Sequence, residues 1–387
     1  MIQLRKFFKG LTMIASFKVS GFTSIKDEIC IDFRAAQNQK LKNTRYENNY
    51  FSNRIAKSLV LFGKNATGKT NILKALENVL KIIKKGLDLN YHNKLINKES
   101  EFISYILEIV GKKNEIYKYE LKFNKDKILF ESLSKNSKEI FTFQEDKLKF
   151  DSRQEFEKLL STKSTDTILN KLKDSKTAII DNFKTLIDLY SYNTNINYYD
   201  YYDSYDYTQD ESIFFQKLWV DFYNKNKDAV LNILSKIDES ISDFNFIDLK
   251  DNRFALVILR NDTEFAFDKE SSGVKKIIQL IFQFVYTYNG GTKSAININD
   301  ELDSSISTIS LIKLLNSIIN SSNNQHSQFI FSSHNPLIFD IDILNPAQIY
   351  IVSKNKELST TISSLNDFDL RGDKRKAYLN YLRGDYE

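Results

Sequence analysis

The fold is decided by residues 58–85, SLVLFGKNATGKTNILKALENVLKIIKK. Residues 59–62 are all apolar, which is typical of a short strand buried on both faces. Apolar residues then recur at helical spacing, at Ile72, Leu73, Leu76, Val79, Leu80 and Ile83. The order strand, glycine-bearing loop, helix predicts an α/β core in which the loop follows a strand of the sheet.

The loop between this strand and helix is a complete G-x-x-x-x-G-K-T pattern, which predicts a phosphate-binding loop. Gly63 and Gly68 allow the backbone to wrap around a phosphate, while backbone N–H groups and the helix N-terminus supply donors. Lys69 is expected to reach the β- and γ-phosphates of ATP, and the Thr70 hydroxyl to bind Mg²⁺. The alternative is a chance match in a strand-turn-helix unit. The predicted nucleotide contacts here are Gly63, Lys64, Asn65, Ala66, Thr67, Gly68, Lys69, Thr70 and Asn71.

A phosphate loop of this kind needs an acidic residue at the end of a neighbouring strand, and residues 295–301, AININDE, offer one. Asp300 is predicted to hold the Mg²⁺, directly or through water, and Glu301 to polarise the attacking water. The alternative is a solvated turn, since Asp-Glu is a common pair. Asn297 and Asn299 are unusual in a strand of a parallel sheet, and they need hydrogen-bond partners if they are buried.

Two further segments complete the set of candidate site residues. Ser271, Ser272 and Gly273 open a predicted helix, so their N–H groups are candidates for phosphate contact, although such a start is usually only an N-cap. His334 follows the predicted strand of residues 328–333, and a lone histidine there is more often structural than catalytic. The functional interpretation of both segments is strengthened by their order along the chain, since both follow the phosphate loop.

Composition excludes several other classes of protein. The 387 residues include 11 Gly and 2 Pro, far too few for a collagen-like chain, a β-propeller or flexible linkers. One cysteine excludes a disulfide framework, and a net charge of +5 is short of a concentrated nucleic-acid patch. The apolar run at residues 11–17 is interrupted and has no cleavage pattern, so neither a signal peptide nor a membrane span is expected. We therefore expect a cytoplasmic protein, with Met13 as a candidate alternative start.

The pattern divides the chain into three regions. Residues 1–150 are predicted to form an N-terminal lobe, with two strands around Gly21, the phosphate loop, and antiparallel strands over 101–132. Residues 151–245 read as a helical insertion that contains a Tyr- and Asp-rich segment at 190–207, either an irregular loop or a partner-recognition surface. Residues 246–387 return to strands, with helices at 274–288 and 308–320.

This order of motifs resembles an ABC-type ATPase head of the branch shared by SMC, Rad50 and RecF proteins. By that resemblance Ser271 and Gly273 match the signature residues, which close over the γ-phosphate bound by a second subunit. Asp303 matches the D-loop acid, and His334 the switch histidine that senses the γ-phosphate. The resemblance implies a mixed sheet with antiparallel N-terminal strands and a P-loop core, interrupted by a helical insertion.

The chain is still more similar to bacterial abortive-infection ATPases of the AbiLi type, which are related to the OLD family. The matching blocks are MIASFKVSGFTSIKDEICIDF, GKNATGKT, KILFESL, FDKESSGVKKIIQL, INDELDSSIS, FIFSSHNP and RGDKRKAYLNYLRGDYE. Relatives carry Leu-His-Pro after the Asp-Glu pair, where this chain has Ile306, Ser307 and Thr308. OLD proteins continue into a TOPRIM nuclease domain, for which the 53 residues after His334 (387 − 334) are too few.

The resemblance implies a head-to-head dimer, or a higher even oligomer, that binds ATP and Mg²⁺ and regulates a separately encoded effector, typically a nuclease. The alternative is a DNA-repair ATPase similar to RecF or Rad50 that binds nucleic acid with strong salt dependence. A third possibility is a nucleotide-dependent scaffold that hydrolyses ATP slowly or not at all. None of these functions requires contact with a membrane.

Overall fold

The computed structural model describes residues 13–36, 39–111, 114–150, 165–171, 214–215, 217–261, 263–289, 295–322, 324, 327–340, 344–368 and 377–385. Its strands are β1 (Met13–Ser20), β2 (Ile29–Asp32), β3 (Ser58–Phe62), β4 (Ile103–Val110), β5 (Ile116–Phe123), β6 (Ile128–Lys135), β7 (Lys138–Gln144), β8 (Lys147–Phe150), β9 (Phe214–Phe215), β10 (Ile241–Asp248), β11 (Phe254–Arg260), β12 (Thr263–Ala266), β13 (Ala295–Asn299), β14 (Ser327–Ser333), β15 (Ile349–Lys354) and β16 (Thr360–Ser364).

The α-helices of the same residues are α1 (Lys69–Lys85), α2 (Leu89–His92), α3 (Ile168–Lys171), α4 (Lys217–Lys225), α5 (Lys227–Ile237), α6 (Ser272–Asn289), α7 (Thr308–Leu314) and α8 (Ala377–Arg383). A π-helical turn, Leu315–Ile319, continues α7. Short 3-10 turns occur at Glu47–Asn49, Asn93–Leu95, Phe267–Lys269, Pro336–Asp340, Pro346–Gln348 and Leu365–Asp367.

A sheet in the order β13-β14-β3-β15-β16 carries the phosphate loop. Its first four strands are parallel, and β16 is antiparallel to β15. Leu59 and Leu61 of β3 belong to one hydrophobic core, while Val60 and Phe62 belong to another. Because successive side chains of a strand point to opposite faces, β3 is buried on both sides, as its apolar sequence predicts.

The other two sheets cover the two faces of this parallel sheet. An antiparallel sheet, β2-β1-β4-β5-β6-β7-β8, shares the first core with α1, and the sheet β10-β11-β12, with β9 against β11, shares the second core with α5 and α6. β4 and β5 alternate buried and less buried residues, which is the pattern of an antiparallel sheet with one face on the core. The predicted mixed α/β fold with antiparallel N-terminal strands and a P-loop core is therefore confirmed.

Helix α1 lies between the parallel and the antiparallel sheets, so it is buried on more than the single face that its spacing predicts. Ala75 and Ile82 are fully buried although they lie off the predicted stripe. Asn78 is buried as well, and its Oδ1 accepts a hydrogen bond of 2.9 Å from the Tyr105 hydroxyl on β4. The amide is tolerated there because it has this partner.

A buried carboxylate joins β6 to the short helix α3 near the C-terminal end of α1. Glu131 is 0% exposed, and it accepts hydrogen bonds from the N–H groups of Ile168 (2.6 Å) and Leu169 (3.1 Å) and from the Tyr119 hydroxyl (3.0 Å). Burial raises the pKa of Glu131 to about 7, although these three donors act in the opposite direction. This contact lies at the opposite end of α1 from the phosphate loop.

Most predicted strands and helices are present, and several differ in detail. Residues 214–237 were expected to be helical throughout, but Phe214 and Phe215 form β9 and pair with β11. The helix predicted at 308–320 becomes a π-helical turn after Leu314. β7, β8, β12, β16 and α8 were not predicted. Most of the predicted helical insertion, including the Tyr-rich segment at 190–207, lies outside the described residues, as does the stretch before Met13, and the three-region division remains a prediction.

Candidate nucleotide site

The loop that joins β3 to α1 contains two glycines that no other residue replaces without strain. A Cβ atom on Gly63 would lie 2.3 Å from the carbonyl oxygen of Val352 on β15. Gly68 has φ +114°, and a Cβ there would lie 2.1 Å from Oγ1 of Thr360 on β16. The backbone of the loop therefore approaches its neighbours closely, and Ala66 between the glycines also has a positive φ, +63°. This is the tight, glycine-dependent cradle that a phosphate loop requires.

Lys69 lies inside this loop. Its side chain is 5% exposed, and Nζ donates hydrogen bonds to the carbonyl oxygens of Gly63 (2.7 Å) and Lys64 (2.8 Å). Burial lowers the pKa of Lys69, while the carboxylates of Asp300, Glu301 and Asp303 act in the opposite direction. The ammonium group is thus held beside backbone oxygens at the position where phosphate oxygens of a nucleotide would compete for it.

The structure brings Thr70 and Asp300 together although 230 residues separate them in the sequence. The Thr70 hydroxyl donates to Asp300 Oδ2 at 2.7 Å, and the Ser332 hydroxyl donates to Asp300 Oδ1 at 2.5 Å. The contact arises because β3, β14 and β13 are parallel neighbours, so their C-terminal ends meet at one edge of the sheet. Ser332 was not among the predicted site residues, since only the paired register places its side chain beside Asp300.

The hydroxyl of Thr70 and the carboxylate of Asp300 fit a Mg²⁺ ion, which prefers a few oxygen ligands from the protein and completes its shell with water and phosphate oxygens. Within the described residues, no cluster of three or more His, Cys, Asp or Glu side chains is placed to hold a metal ion.

Glu301 directly follows Asp300, and its backbone adopts an unusual conformation. Its φ is +50°, a region that residues with a side chain seldom occupy. Its N–H donates to Ser332 Oγ at 2.7 Å, and its side chain is exposed at the edge where the phosphate loop ends. An exposed carboxylate at this edge is available to a water molecule, as a general base requires.

Asp303 and His334 lie against each other beside this turn. The backbone N–H of His334 donates to Asp303 Oδ2 at 3.0 Å, and the side chain of His334 is exposed. Asp303 Oδ1 is buried without a hydrogen-bond partner among the described residues, which is costly unless another donor arrives. In this arrangement Asp303 holds the backbone at the end of β14 rather than the imidazole of His334.

Ser271, Ser272 and Gly273 are placed differently from the phosphate loop. Both serines are exposed, and within the described chain the hydrogen bonds of Ser271 stay inside its own helix start, to Val274 and Lys275. A Cβ on Gly273 would lie 2.3 Å from the carbonyl oxygen of Ser305, so a glycine is needed for this close contact with Ser305 of the same chain. This approach of Gly273 to Ser305 was not predicted from the sequence.

Ser24, Thr360 and Asn71 form a second set of contacts, on the outer side of the phosphate loop. The Thr360 hydroxyl donates to the carbonyl oxygen of Thr67 at 2.8 Å and lies 2.7 Å from Ser24 Oγ. Asn71, which was predicted to contact nucleotide, directs its Nδ2 to Ser24 Oγ at 2.8 Å. Neither Ser24 nor Thr360 was predicted, because isolated hydroxyl residues carry no motif and 336 positions separate them.

Asn297 and Asn299, the polar residues of β13, are both buried. The Nδ2 of Asn297 donates to the carbonyl oxygen of Gln328 at 3.4 Å, whereas Oδ1 of Asn299 has no hydrogen-bond partner among the described residues. This hydrogen bond explains how β13 accommodates a buried Asn297, and it does not explain the buried Asn299.

A family model described as "AAA domain, putative AbiEii toxin, Type IV TA system" matches residues 58–340, which is well over half of the chain and includes the phosphate loop, the Ser271–Gly273 segment, Asp300, Glu301 and His334. The chain belongs to this family. It is a P-loop ATPase by family, with the phosphate loop and the Asp300 turn both inside the matched residues. No curated protein matches it.

Three solved structures similar to this family member are SMC head domains. One, bound to the C-terminal winged-helix domain of ScpA, has 13% identity and a TM-score of 0.49 and covers 92% of this chain and 98% of its own. The head from Thermotoga maritima has 13% identity and a TM-score of 0.48, covering 91% and 98%. A head with an extended coiled coil, bound to the C-terminal domain of ScpA from Pyrococcus furiosus, has 12% identity and a TM-score of 0.47, covering 97% and 100%. At identities this low, the partners of these proteins say nothing about the partners of this chain.

Among the described helices, none combines the length and the apolar character needed to cross a bilayer.

Proposed function

We propose that this chain binds ATP with Mg²⁺ in the loop of residues 63–70 and hydrolyses it. The observation that carries the proposal is the 2.7 Å hydrogen bond between Thr70 and Asp300, which joins the two predicted cation ligands at the mouth of a glycine cradle. Lys69, already buried inside the loop, supplies the positive charge for the β- and γ-phosphates. Thr70 and Asp300 would hold the Mg²⁺ ion, whose positive charge would offset the negative charge that develops on the phosphate oxygens.

In this proposal Glu301 is the general base that takes a proton from the attacking water. It comes directly after the cation ligand, and its exposed carboxylate lies at the edge of the sheet where the γ-phosphate is expected. His334 would contact the γ-phosphate from the end of β14. A backbone held by Asp303 keeps the imidazole exposed and available for that contact.

The site is proposed to be completed by a second copy of the chain, in a head-to-head dimer or a higher even oligomer. Ser271 and Ser272 are exposed at the start of an 18-residue helix, where N–H groups and the helix dipole favour an anion. Ile309 and Leu337 are 69% and 46% exposed, and a 2.9 Å hydrogen bond between Thr308 and Asn335 joins their segments. Such apolar side chains near His334 suit burial against a second subunit.

The biological role that we propose is the sensor or regulator of an anti-phage abortive-infection system in the cytoplasm, acting on a separately encoded effector, most simply a nuclease. The family description, which joins an AAA domain to a toxin-antitoxin system, supports a role of this kind. In this scheme, ATP binding and hydrolysis change the dimer, and the changed dimer releases or activates the effector.

The first test is steady-state ATP hydrolysis by the wild type and by Glu301→Gln. We expect the variant to lose about 100-fold or more of kcat while binding ATP as well as the wild type, because the amide cannot accept the proton. Glu139→Gln, which changes an exposed carboxylate on β7 of the antiparallel sheet, is the matched control. Equal turnover in the wild type and Glu301→Gln would contradict the role of Glu301.

The second test is purification of the untagged protein from its own operon. A stoichiometric nuclease that is released or activated when ATP is added supports the proposed role. Recovery of DNA alone, with binding that falls steeply as salt rises, would favour the DNA-repair alternative instead.

A further inference from the structure

The start of α6 is tied to the turn that carries Glu301 by two contacts within the same chain. The first is the close approach of Gly273 to the carbonyl oxygen of Ser305, described above. The second is Lys276, one turn further along the helix, whose Nζ donates to the carbonyl oxygen of Glu301 at 2.7 Å and to Ser304 Oγ at 2.5 Å. The Ser271–Gly273 segment and the turn over residues 301–305 are therefore in direct contact.

The contact with Lys276 acts on a residue that, like Ser305 in the same turn, has a positive φ. The N–H of Glu301 donates to Ser332 Oγ, and its carbonyl oxygen accepts hydrogen bonds from Lys276 Nζ and from the N–H of Ser304 (3.0 Å). A non-glycine residue at φ +50° is strained and persists only where its surroundings hold it. Without Lys276, the N–H of Ser304 would be the remaining donor to this carbonyl oxygen, so Glu301 would be held less firmly and its carboxylate would be positioned less well.

Lys276 also faces an acidic environment. It is half-buried, and burial lowers its pKa, while the carboxylates of Asp303, Glu301 and Asp300 act to raise it. Its neighbour Lys275 is different, because its Nζ donates to the carbonyl oxygen of Asp268 at 2.7 Å on the opposite side of the helix start. The helix thus has two adjacent lysines, of which one contacts the turn and the other does not.

We propose that Lys276 is a positioning residue that relays the position of the Ser271–Gly273 segment to Glu301 of the same subunit. This inference rests on the proposed function, in which that segment contacts the nucleotide held by a second copy of the chain. Because the segment of one subunit meets the nucleotide of the other, occupancy of one site sets Glu301 for hydrolysis at the second site. The two sites should then hydrolyse ATP cooperatively.

The test compares Lys276→Met, Lys276→Arg and the matched control Lys275→Met in the full-length protein. We expect Lys276→Met to lower kcat about 10- to 100-fold, as misplacement of a catalytic group by about 1 Å does. Its ATP dissociation constant should stay within about twofold of the wild type, because Lys276 does not touch the phosphate loop. The Hill coefficient for ATP should fall from above one toward one. Lys276→Arg should recover much of both, and Lys275→Met should match the wild type.

Three outcomes would overturn the relay. One is a Lys276→Met variant with wild-type kcat and Hill coefficient, and another is a loss of kcat matched by equal losses of ATP affinity and thermal stability, which would show a structural role only. The third is a wild type that hydrolyses ATP with a Hill coefficient of one. A wild type that binds ATP but does not hydrolyse it would instead reject the proposed function, so the two failures are distinguishable.

Discussion

The phosphate loop and the start of α6 are both helix N-termini with small residues, yet they differ in burial and in hydrogen bonding. At the phosphate loop, Lys69 and Thr67 are buried, and the loop is bonded from both sides, by its own lysine and by Thr360. At the start of α6, Ser271 and Ser272 are exposed and bond only locally.

This difference shows which half of the proposed site is complete within one chain. The first half is the phosphate loop, which is complete, and the second half is the start of α6, which is not. A loop whose backbone is already held loses little conformational entropy when a nucleotide binds, so it favours tight binding. An exposed helix start offers N–H groups but no enclosing wall, and it needs a second surface to form a site. Changes in the first half should therefore affect ATP binding by one subunit, whereas changes in the second half should affect only what requires two subunits.

Lys69→Met is the change with the largest expected effect, and it acts on the first half. We expect ATP affinity to fall by about 10- to 100-fold, because a charged hydrogen-bond donor to phosphate contributes about 1.5–3 kcal/mol. Isothermal titration with ATP and Mg²⁺ measures the change. Lys74→Met, which removes an exposed lysine of the same helix, should leave the affinity unchanged. Equal affinity in Lys69→Met and the wild type would show that the loop does not hold the phosphates.

Ser271→Arg acts on the second half. We expect hydrolysis to fall at least about 10-fold and ATP-dependent dimerisation to be lost, because the long charged side chain would keep two subunits apart. ATP binding by the monomer should not change. Light scattering with and without ATP, beside a turnover assay, separates these effects. Ser235→Arg on α5 is the control, and a Ser271→Arg protein that still dimerises and turns over normally would argue against a shared site.

Thr360→Ala tests the outer support of the phosphate loop and should have a smaller effect. Loss of one buried hydrogen bond to the Thr67 carbonyl should weaken ATP binding about 3- to 10-fold, since such bonds contribute about 0.5–1.5 kcal/mol. The value of kcat at saturating ATP should not change. Thr360→Ser should restore binding. The neighbouring Thr361→Ala is the control because its hydroxyl pairs with Ser353 instead, and a loss of equal size there would remove the special role of Thr360.

Glu131→Gln lies in neither half and should have the smallest effect on turnover, while it changes how stability depends on pH. The pKa of Glu131 is about 7 in the folded protein against an ordinary 4.5, so the folded state holds the proton more tightly than the unfolded state. This contribution to the free energy of unfolding is full below pH 4.5 and is lost as pH rises to about 7, by at most about 3 kcal/mol.

Urea unfolding of both proteins at pH 5 and pH 7.5 measures this dependence. The stability of Glu131→Gln relative to the wild type should increase with pH, because glutamine has no proton to lose. Glu120→Gln, on the neighbouring strand β5, should show no such trend. A difference between Glu131→Gln and the wild type that is constant with pH would mean that Glu131 stays ionised on folding.

What could be predicted from the sequence follows the same division between local and distant contacts. The phosphate loop was identifiable because its glycines, lysine and threonine are adjacent and follow an apolar strand. Asp300 was identifiable because it ends another strand. Ser332, Ser24 and Thr360 were not, because their contacts depend on strand order and register, and β16 carries no strong apolar pattern. The role of Lys276 depends on a single side-chain direction, which spacing does not reveal.

The central position of β3 has a consequence for how the protein is made. This strand is synthesised early, yet it pairs with β14 and β15, and the loop that follows it is held by Thr360. At a synthesis rate of about 5–20 residues per second, the apolar strand waits roughly 15 to 60 s for these partners. During that time its unpaired edges are open to association with other chains, so a chaperone should be most useful to this protein before β15 emerges. Nucleotide binding would then first become possible after β15 and Thr360 have left the ribosome.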